Sequence, residues 1–446
     1  MFWKYISFKT DEYMNNKIRK SQILIEGGKC LEGSIELQGD KTVAVHSLLA
    51  ALFCPNTLFY IKKIPKCGDV ISVIEWIKSN NLAEASINKT FINLKIKSFP
   101  DITDIRGINS IRSSICLLSP LALLGRKVIF KEIGGCNFTD RPINRHLDLA
   151  MELGIKIVEH HGYFEAFKIK QKKLINFDCS VNGLISVGVT AHALLAALVF
   201  HGKIVLNNIS IDPSIITMIE IIKNKFKVDA DFAKRTIRID TSIPNTTSDN
   251  NIKLEIPTDY TEALTYIFSV LSTGGRITIV NEADFPEPFR VLFNKMNIEV
   301  AIKNNTSTFS SGRLTNPKIV SCTPTPGIPT DCGPILTAML CSIDGECAVI
   351  DTVYNNRDSH IFPLQQMGYN VNFSINTSYT KGSKPNDGHL IIRAADIRAG
   401  AAILVGALNK KGRTTIQNAK EIQRGYSNIA DNLKKIGANI YIGEER

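Results

Sequence analysis

The sequence lacks the marks of a disulfide-stapled, zinc-clipped or membrane-spanning protein. Its ten cysteines include no C-x-x-C pair, which argues against zinc, and in a reducing compartment they are expected as mostly free thiols. No apolar run approaches the roughly 20 residues that a bilayer-spanning helix needs. The opening stretch Met1-Phe2-Trp3-Lys4-Tyr5-Ile6-Ser7-Phe8-Lys9 is broken by lysines and has no continuous apolar centre, so it does not read as a signal peptide. A cytoplasmic location is therefore the default expectation. The formal net charge is +11, but lysines and arginines are scattered, with no long basic run and no aromatic–basic alternation. Anionic small molecules are the expected partners, and neither nucleic acid nor membrane is.

What is present is an ordinary globular composition, 44% hydrophobic and 21% charged, in 446 residues. That length exceeds a typical single core and predicts two domains. The main organisational signal is a pattern repeated six times, an apolar, small-residue helix that stops at a glycine or polar turn and runs into a β-branched strand. The copies are Val43 to Ile64, Ser113 to Ile133, Val189 to Ile209, Ala263 to Ala283, Gly333 to Val353 and Gly400 to Lys420. Between them recur amphipathic helices followed by short alternating strands, such as Leu147 to Ile157 and Ile429 to Ile440. Units of about 70 residues mixing helix and strand exceed the usual solenoid periods. Six of them divide naturally as three and three, with a cleft between two similar lobes. The most polar mid-chain stretch, around 246–251, is the expected lobe boundary. Residues 1–20 read as an extension, and the strand around Ile35 is expected to cross to the second lobe.

One segment carries chemistry of its own: Ile133-Gly134-Gly135-Cys136-Asn137-Phe138-Thr139-Asp140-Arg141-Pro142. Two glycines ahead of a cysteine give a loop that can bring a thiol close to a ligand. An arginine five positions on can lower the thiol pKa and hold an anion beside the sulfur. The competing reading is a buried cysteine on a surface turn. Cys332, Cys341 and Cys347 fall along an apolar segment and read as core residues.

Other motifs stand in order along the chain: Gly39-Asp40-Lys41, Ser110-Ile111-Arg112-Ser113-Ser114, His146, Pro329-Thr330-Asp331, Asn356-Arg357, Asp396-Ile397-Arg398 and Arg424-Gly425-Tyr426. Together with the Gly-Gly-Cys loop and Arg141 they resemble the enolpyruvyl transferase superfamily, in its sugar-nucleotide branch, over 23–442. The resemblance implies an α/β fold of two lobes, each an inside-out α/β barrel built from three βαβαββ repeats. The lobes would be 40–256, with the cysteine loop, and 21–39 together with 257–446. It implies transfer of the enolpyruvyl group of phosphoenolpyruvate to the 3-hydroxyl of UDP-N-acetylglucosamine with release of phosphate. No metal or organic cofactor is implied, and a monomer or weak homo-oligomer is expected.

Carried over residue by residue, phosphoenolpyruvate would be held by Lys41, Arg112, Arg141, Arg357, Arg398 and Arg424. Guanidinium forks suit a ligand with both phosphate and carboxylate. The catalytic set would be Cys136 as acid or transient nucleophile, Asp331 as base for the hydroxyl, Lys41 and Arg424. The sugar nucleotide would meet Thr42, Pro142, Ile143, Asn144, Arg145, His146, Ser186, Val187, Gly188, Asp331 and Val353. His146 reads equally as a substrate contact and as a structural histidine. The departures fall on this acceptor side. Thr42 stands for the usual asparagine, Cys116 for a tryptophan, Asn144-Arg145 for Asp-Leu, and Leu184 for a lysine at the diphosphate. Ile133 replaces the proline that opens the cysteine loop. The alternatives are a paralogue with another nucleotide or phosphorylated acceptor, and a non-catalytic homologue that binds a sugar nucleotide.

Overall fold

The computed structural model describes residues 21–88, 91–131, 143–170, 172–246, 249–281 and 285–444. All six predicted helix-then-strand copies are present: Lys41–Ala51 with Thr57–Lys62, Leu118–Leu123 with Val128–Phe130, Val187–Ala197 with Lys203–Asn207, Tyr260–Leu271 with Arg276–Val280, Gly333–Leu340 with Glu346–Asp351, and Ile397–Asn409 with Gly412–Gln417. These helices are apolar nearly all round and are buried accordingly; in Gly333–Leu340 every residue is buried. The second copy differs locally. It begins as a 3-10 turn, Arg112–Leu117, before the α-helical part.

The unit from Leu174 to Pro244 illustrates the common plan. Strands Leu174–Asp178 and Lys203–Asn207 pair in parallel across helix Val187–Ala197. Helix Pro213–Lys225 then leads to the hairpin Phe226–Asp231 and Thr236–Pro244, whose second strand pairs antiparallel with Lys203–Asn207. Three units borrow a strand from elsewhere in the chain. Asn251–Glu255 lies parallel to Thr57–Lys62, Glu32–Glu36 parallel to Arg276–Val280, and Ser21–Gly27 between Gly412–Gln417 and Asn439–Glu444.

A single turn device recurs after the central strand of four units. Lys63, Asn208, Asn281 and Asn418 each take a left-handed conformation directly after that strand. Each side chain then reaches back to the end of the parallel neighbour. Asn208 bonds Asp178 at 2.9 Å, Asn281 bonds Glu36 at 2.9 Å, Asn418 bonds the Ala394 carbonyl at 2.8 Å, and Lys63 pairs with Glu255 at 3.0 Å. Asparagine suits this position because it tolerates positive φ and has an amide to donate.

The buried apolar side chains form two separate cores. One draws on residues from Val43 to Ile256, the other on Ile23 to Leu37 and Ala263 to Ile440. Cys332, Cys341 and Cys347 are buried in the second core, as their apolar setting predicted. The chain passes between cores at two places lying side by side, where Gly39 pairs with Thr258 and the Asp40 N–H donates to Pro257 at 2.7 Å. Asp40 and Asp259 there cap the first helix of each core. Among the described residues no helix is long and apolar enough to cross a membrane.

Two consequences are measurable. Ile375 has φ 61° at a hairpin tip and is 77% exposed, so its β-branched side chain adds strain and little burial. Ile375→Gly should raise stability by about 1 kcal/mol in urea unfolding; a loss would show that the side chain has a packing role. The second concerns the crossover carboxylates. Burial, then Asp259 and Asp212, push Asp40 up to about 8, and burial, then Asp259, push Glu262 up to about 8. The folded state therefore binds protons that the unfolded chain, with pKa values of 3.8 and 4.5, has released. These groups favour folding at low pH, and that contribution is lost as pH rises toward about 8. Melting from pH 5.5 to 8.5 should lose stability in this way, and Glu262→Gln should flatten the slope. An unchanged slope in that variant would count against the assignment.

Candidate active site

Two of the three predicted cations of the second core, Arg357 and Arg398, meet on one carboxylate. Pro329 starts the 3-10 turn Thr330–Cys332, which runs into helix Gly333–Leu340. Asp331 in that turn does not cap the helix. Its Oδ1 accepts from Arg357 at 2.7 Å and its Oδ2 from Arg398 at 2.9 Å. Arg357 also donates to the Thr330 hydroxyl at 2.9 Å, and Arg398 to the Tyr426 hydroxyl at 3.0 Å. Arg398 stands on the first turn of Ile397–Asn409, where Asp396 caps the helix through the N–H groups of Arg398 and Ala399. Both arginine side chains are buried, at 4% and 8% exposure, whereas the Asp331 side chain is 42% exposed. Desolvation raises the Asp331 carboxyl, but Arg398 and Arg357 outweigh it and hold it well below the ordinary carboxylate range.

The second cation pair joins the two cores. Lys41 opens helix Lys41–Ala51 and pairs with Asp69 Oδ2 at 3.0 Å, while Arg424 donates to Asp69 Oδ1 at 3.0 Å. Asp69 lies on the first turn of Gly68–Ser79, and Gly68 beside it permits the approach. A Cβ at Gly68 would sit 3.2 Å from the Arg424 Cα. Burial lowers the Lys41 pKa, yet Asp69 reverses the shift and raises it, with Arg398 opposing. Lys41 thus feels the Arg398 charge, which ties the two groups electrostatically. A further strap holds the loop before Asp331, where Arg235 of the first core donates to the Thr325 carbonyl at 2.9 Å.

The remaining expected residues are less concentrated. Arg112 opens its 3-10 turn beside Ser113, whose hydroxyl is 3.1 Å from His46 Nε2. Thr42 is half-buried behind Lys41, and the Val353 N–H is bonded to Asp351 at 2.9 Å. Ile143 and Asn144 begin helix Asn144–Glu152, and Ser186 caps Val187–Ala197 through the Val189 N–H. The two helix starts adjoin, with His146 buried beside Gly188. Arg145 is engaged elsewhere. Its guanidinium donates to the carbonyls of Asp178 at 2.6 Å and Ser180 at 3.1 Å, and lies 4.2 Å from the Phe177 ring centre. Cys136, Arg141 and Pro142 lie outside the described residues. Asp69 escaped the sequence reading, because an acid on a first helical turn looks like a charge placed for the helix dipole.

Comparison with known proteins rests on nearly the whole chain. The family described as EPSP synthase (3-phosphoshikimate 1-carboxyvinyltransferase) matches residues 25–433. The chain belongs to this family of enolpyruvyl transferases. Curated relatives named UDP-N-acetylglucosamine 1-carboxyvinyltransferase include one from Kosmotoga olearia, 29% identical over 95% of this chain and 100% of that one. Another, from Thermotoga petrophila, is 26% identical over 95% and 99%. Among solved structures, the enolpyruvyl transferase NikO from Streptomyces tendae has a TM-score of 0.81 at 20% identity, covering 96% of this chain and all of that one. EPSP synthase from Acinetobacter baumannii has a TM-score of 0.70 at 15% identity, covering 95% and 100%. These structures share the α/β fold with the protein.

Asp69 offers a direct test of the arrangement. Asp69→Asn leaves Lys41 and Arg424 facing each other without their shared counter-ion, and should cost about 3 kcal/mol of stability near neutral pH. Burial raises the Asp69 carboxyl but Lys41 and Arg424 lower it on balance, so the wild-type contribution is present above its ordinary 3.8 and fades as pH falls. Added inorganic phosphate should restore more stability to the variant than to the wild type. Equal effects on both would show that the two cations do not share an anion site.

Proposed function

We propose that the protein transfers the enolpyruvyl group of phosphoenolpyruvate to the 3-hydroxyl of UDP-N-acetylglucosamine, releasing phosphate. That is the first committed step of peptidoglycan precursor synthesis. The observation that carries this reading is the pair of carboxylate-bridged cation sites at the junction of the cores, Arg357–Asp331–Arg398 and Lys41–Asp69–Arg424. A donor with a phosphate and a carboxylate matches cations of this number and type. The two cores are, on this reading, lobes 40–256 and 21–39 with 257–446, which close on the substrates.

In the addition step the acceptor oxygen bonds to C2 of phosphoenolpyruvate and its proton passes to Asp331. Cys136 delivers a proton to C3; where the thiol first adds to the donor, its sulfur bonds C2 while its proton goes to C3, and that C–S bond breaks as the acceptor oxygen takes its place. Loss of a proton from C3 then re-forms the double bond as the C2–O bond to phosphate breaks. Asp331 clamped by two arginines is a poor base. Donor anions that draw Arg357 and Arg398 toward themselves raise its proton affinity, so the base becomes competent once the donor is seated. Arg112 and Arg141 complete the donor contacts. Cys136, activated by Arg141, is on this reading the target of an epoxide such as fosfomycin.

A second reading, transfer to a different nucleotide or phosphorylated acceptor, is favoured by the acceptor side. Leu184 is exposed where a cation at a diphosphate is expected, and Arg145 is occupied by carbonyls and an aromatic ring. A missing charge-assisted contact of about 1.5–3 kcal/mol weakens binding roughly tenfold to hundredfold. Phosphate release from phosphoenolpyruvate should be measured with UDP-N-acetylglucosamine, UMP and shikimate 3-phosphate in turn. Release with the first supports the primary reading and release only with another supports the second. Silence with all three leaves a binding protein. Asp331→Asn should abolish turnover while retaining phosphoenolpyruvate binding, and an active variant would remove Asp331 from the role of base.

A further inference from the structure

We propose that Thr265 and Tyr426 are positioning residues that fix the Arg398 guanidinium against Asp331 through a hydrogen-bond relay of a single sense. Arg398 has donors only, so its Nη1, 3.0 Å from the Tyr426 hydroxyl, makes that oxygen an acceptor. The proton of the same hydroxyl must go elsewhere, and Thr265 Oγ1 lies 2.9 Å away. Thr265 in turn gives its own proton to the Thr261 carbonyl, 2.9 Å away and one helical turn back. The order is therefore Arg398 to Tyr426 to Thr265 to Thr261, each donating to the next. Both hydroxyl side chains are buried, and burial pushes the Tyr426 pKa up to about 12, so its proton is present.

The relay returns to Asp331 through the same helix. Thr261 stands on the first turn of Tyr260–Leu271, and its Oγ1 lies 3.8 Å from the sulfur of Cys332, the residue after Asp331. Arg398 Nε closes the circuit on Asp331 Oδ2 at 2.9 Å. One helix thus serves as the reference for both the carboxylate and a guanidinium that clamps it. That helix is capped by Asp259, beside the crossing between the cores. Gly425 lets Tyr426 come close enough. A Cβ there would meet Ile397 Cγ2 at 2.6 Å, and the Tyr426 ring centre lies 5.5 Å from Arg398 Cζ. A planar guanidinium held at Nε by one segment and at Nη1 by another cannot turn about its Nε–Cζ bond without breaking a hydrogen bond. It is already ordered when an anion arrives, which favours binding.

This inference rests on the proposed donor role of Arg398, but its first test needs no turnover. NMR of the full-length, arginine-labelled protein should resolve two Nη signals for Arg398, identified by their loss in Arg398→Lys. A single averaged signal in the wild type would overturn the proposal. Tyr426→Phe should merge the two through faster rotation, and so should Thr265→Val, whose side chain reaches Arg398 only through Tyr426. Thr265→Ser keeps the hydroxyl and should keep the signals apart. Resolved signals in the Val variant would overturn the relay whether or not the Phe variant folds, and if the Val variant does not fold, resolved signals in Tyr426→Phe would do the same. With whichever acceptor supports phosphate release, Tyr426→Phe should raise the phosphoenolpyruvate KM about tenfold with little change in the acceptor KM. Adding Thr265→Val to that variant should change nothing further, because the link is already cut. Equal rises in both KM values, or additive effects of the two substitutions, would reduce both residues to packing. Failure of every acceptor bears on the proposed function alone, since guanidinium rotation is read without turnover.

Discussion

Four cations sit near one another at the junction of the two cores, each bridged to another by a carboxylate, with Glu421 as a further partner of Arg424. Asp331 holds Arg357 and Arg398, and Asp69 holds Lys41 and Arg424. Like charges desolvated together would otherwise repel strongly. The two carboxylates differ in what they join. Asp331 gathers residues of one core, while Asp69 draws a helix start of the first core against the segment Lys420–Gly425 of the second. The first therefore shapes a site, and the second couples that site to the way the cores meet. On the proposed function, an anionic donor competes with both, which links ligand charge to the packing of the cores.

The chain reaches this arrangement by repeating one plan. Helices apolar nearly all round are stable only when covered on every side, so they force a strand layer around them and leave the amphipathic helices outside. Helix starts then supply the candidate site positions. Lys41, Asp69, Arg398 and His146 all lie on first turns, and Asp331 sits in the turn that leads into a helix. The exchange of strands Glu32–Glu36 and Asn251–Glu255 brings two chain crossings together, with Asp40 and Asp259 capping the helices that follow. The crossing is thus both a connection and a buried acidic cluster, and its protonation is coupled to folding.

On the proposed function, donor and acceptor sides follow different physical logic. The donor side depends on charge held ready by internal counter-ions. At the acceptor side the only arginine in the predicted set and described, Arg145, is spent on carbonyls and a ring, and the position of an expected cation is Leu184. The starts of helices Asn144–Glu152 and Val187–Ala197 adjoin there, with His146 buried beside Gly188.

The sequence alone determined the six helix–strand copies, the order of the motifs and the burial of Cys332, Cys341 and Cys347. Those features depend on local composition and short spacings, which survive without knowledge of the fold. The pairing of Asp331 with Arg357 and Arg398 was half-legible, since the three residues were named but their mutual contact was not. Only the tertiary structure decided that Asp69 bridges to Arg424, 355 residues away, that Arg145 donates to the carbonyls of Asp178 and Ser180, and that His192 lies against His146. A carboxylate on a first helical turn, or a histidine in an apolar helix, looks the same in sequence whether it stabilises its own helix or reaches a distant partner. What distinguishes the two is which helix the fold sets opposite it.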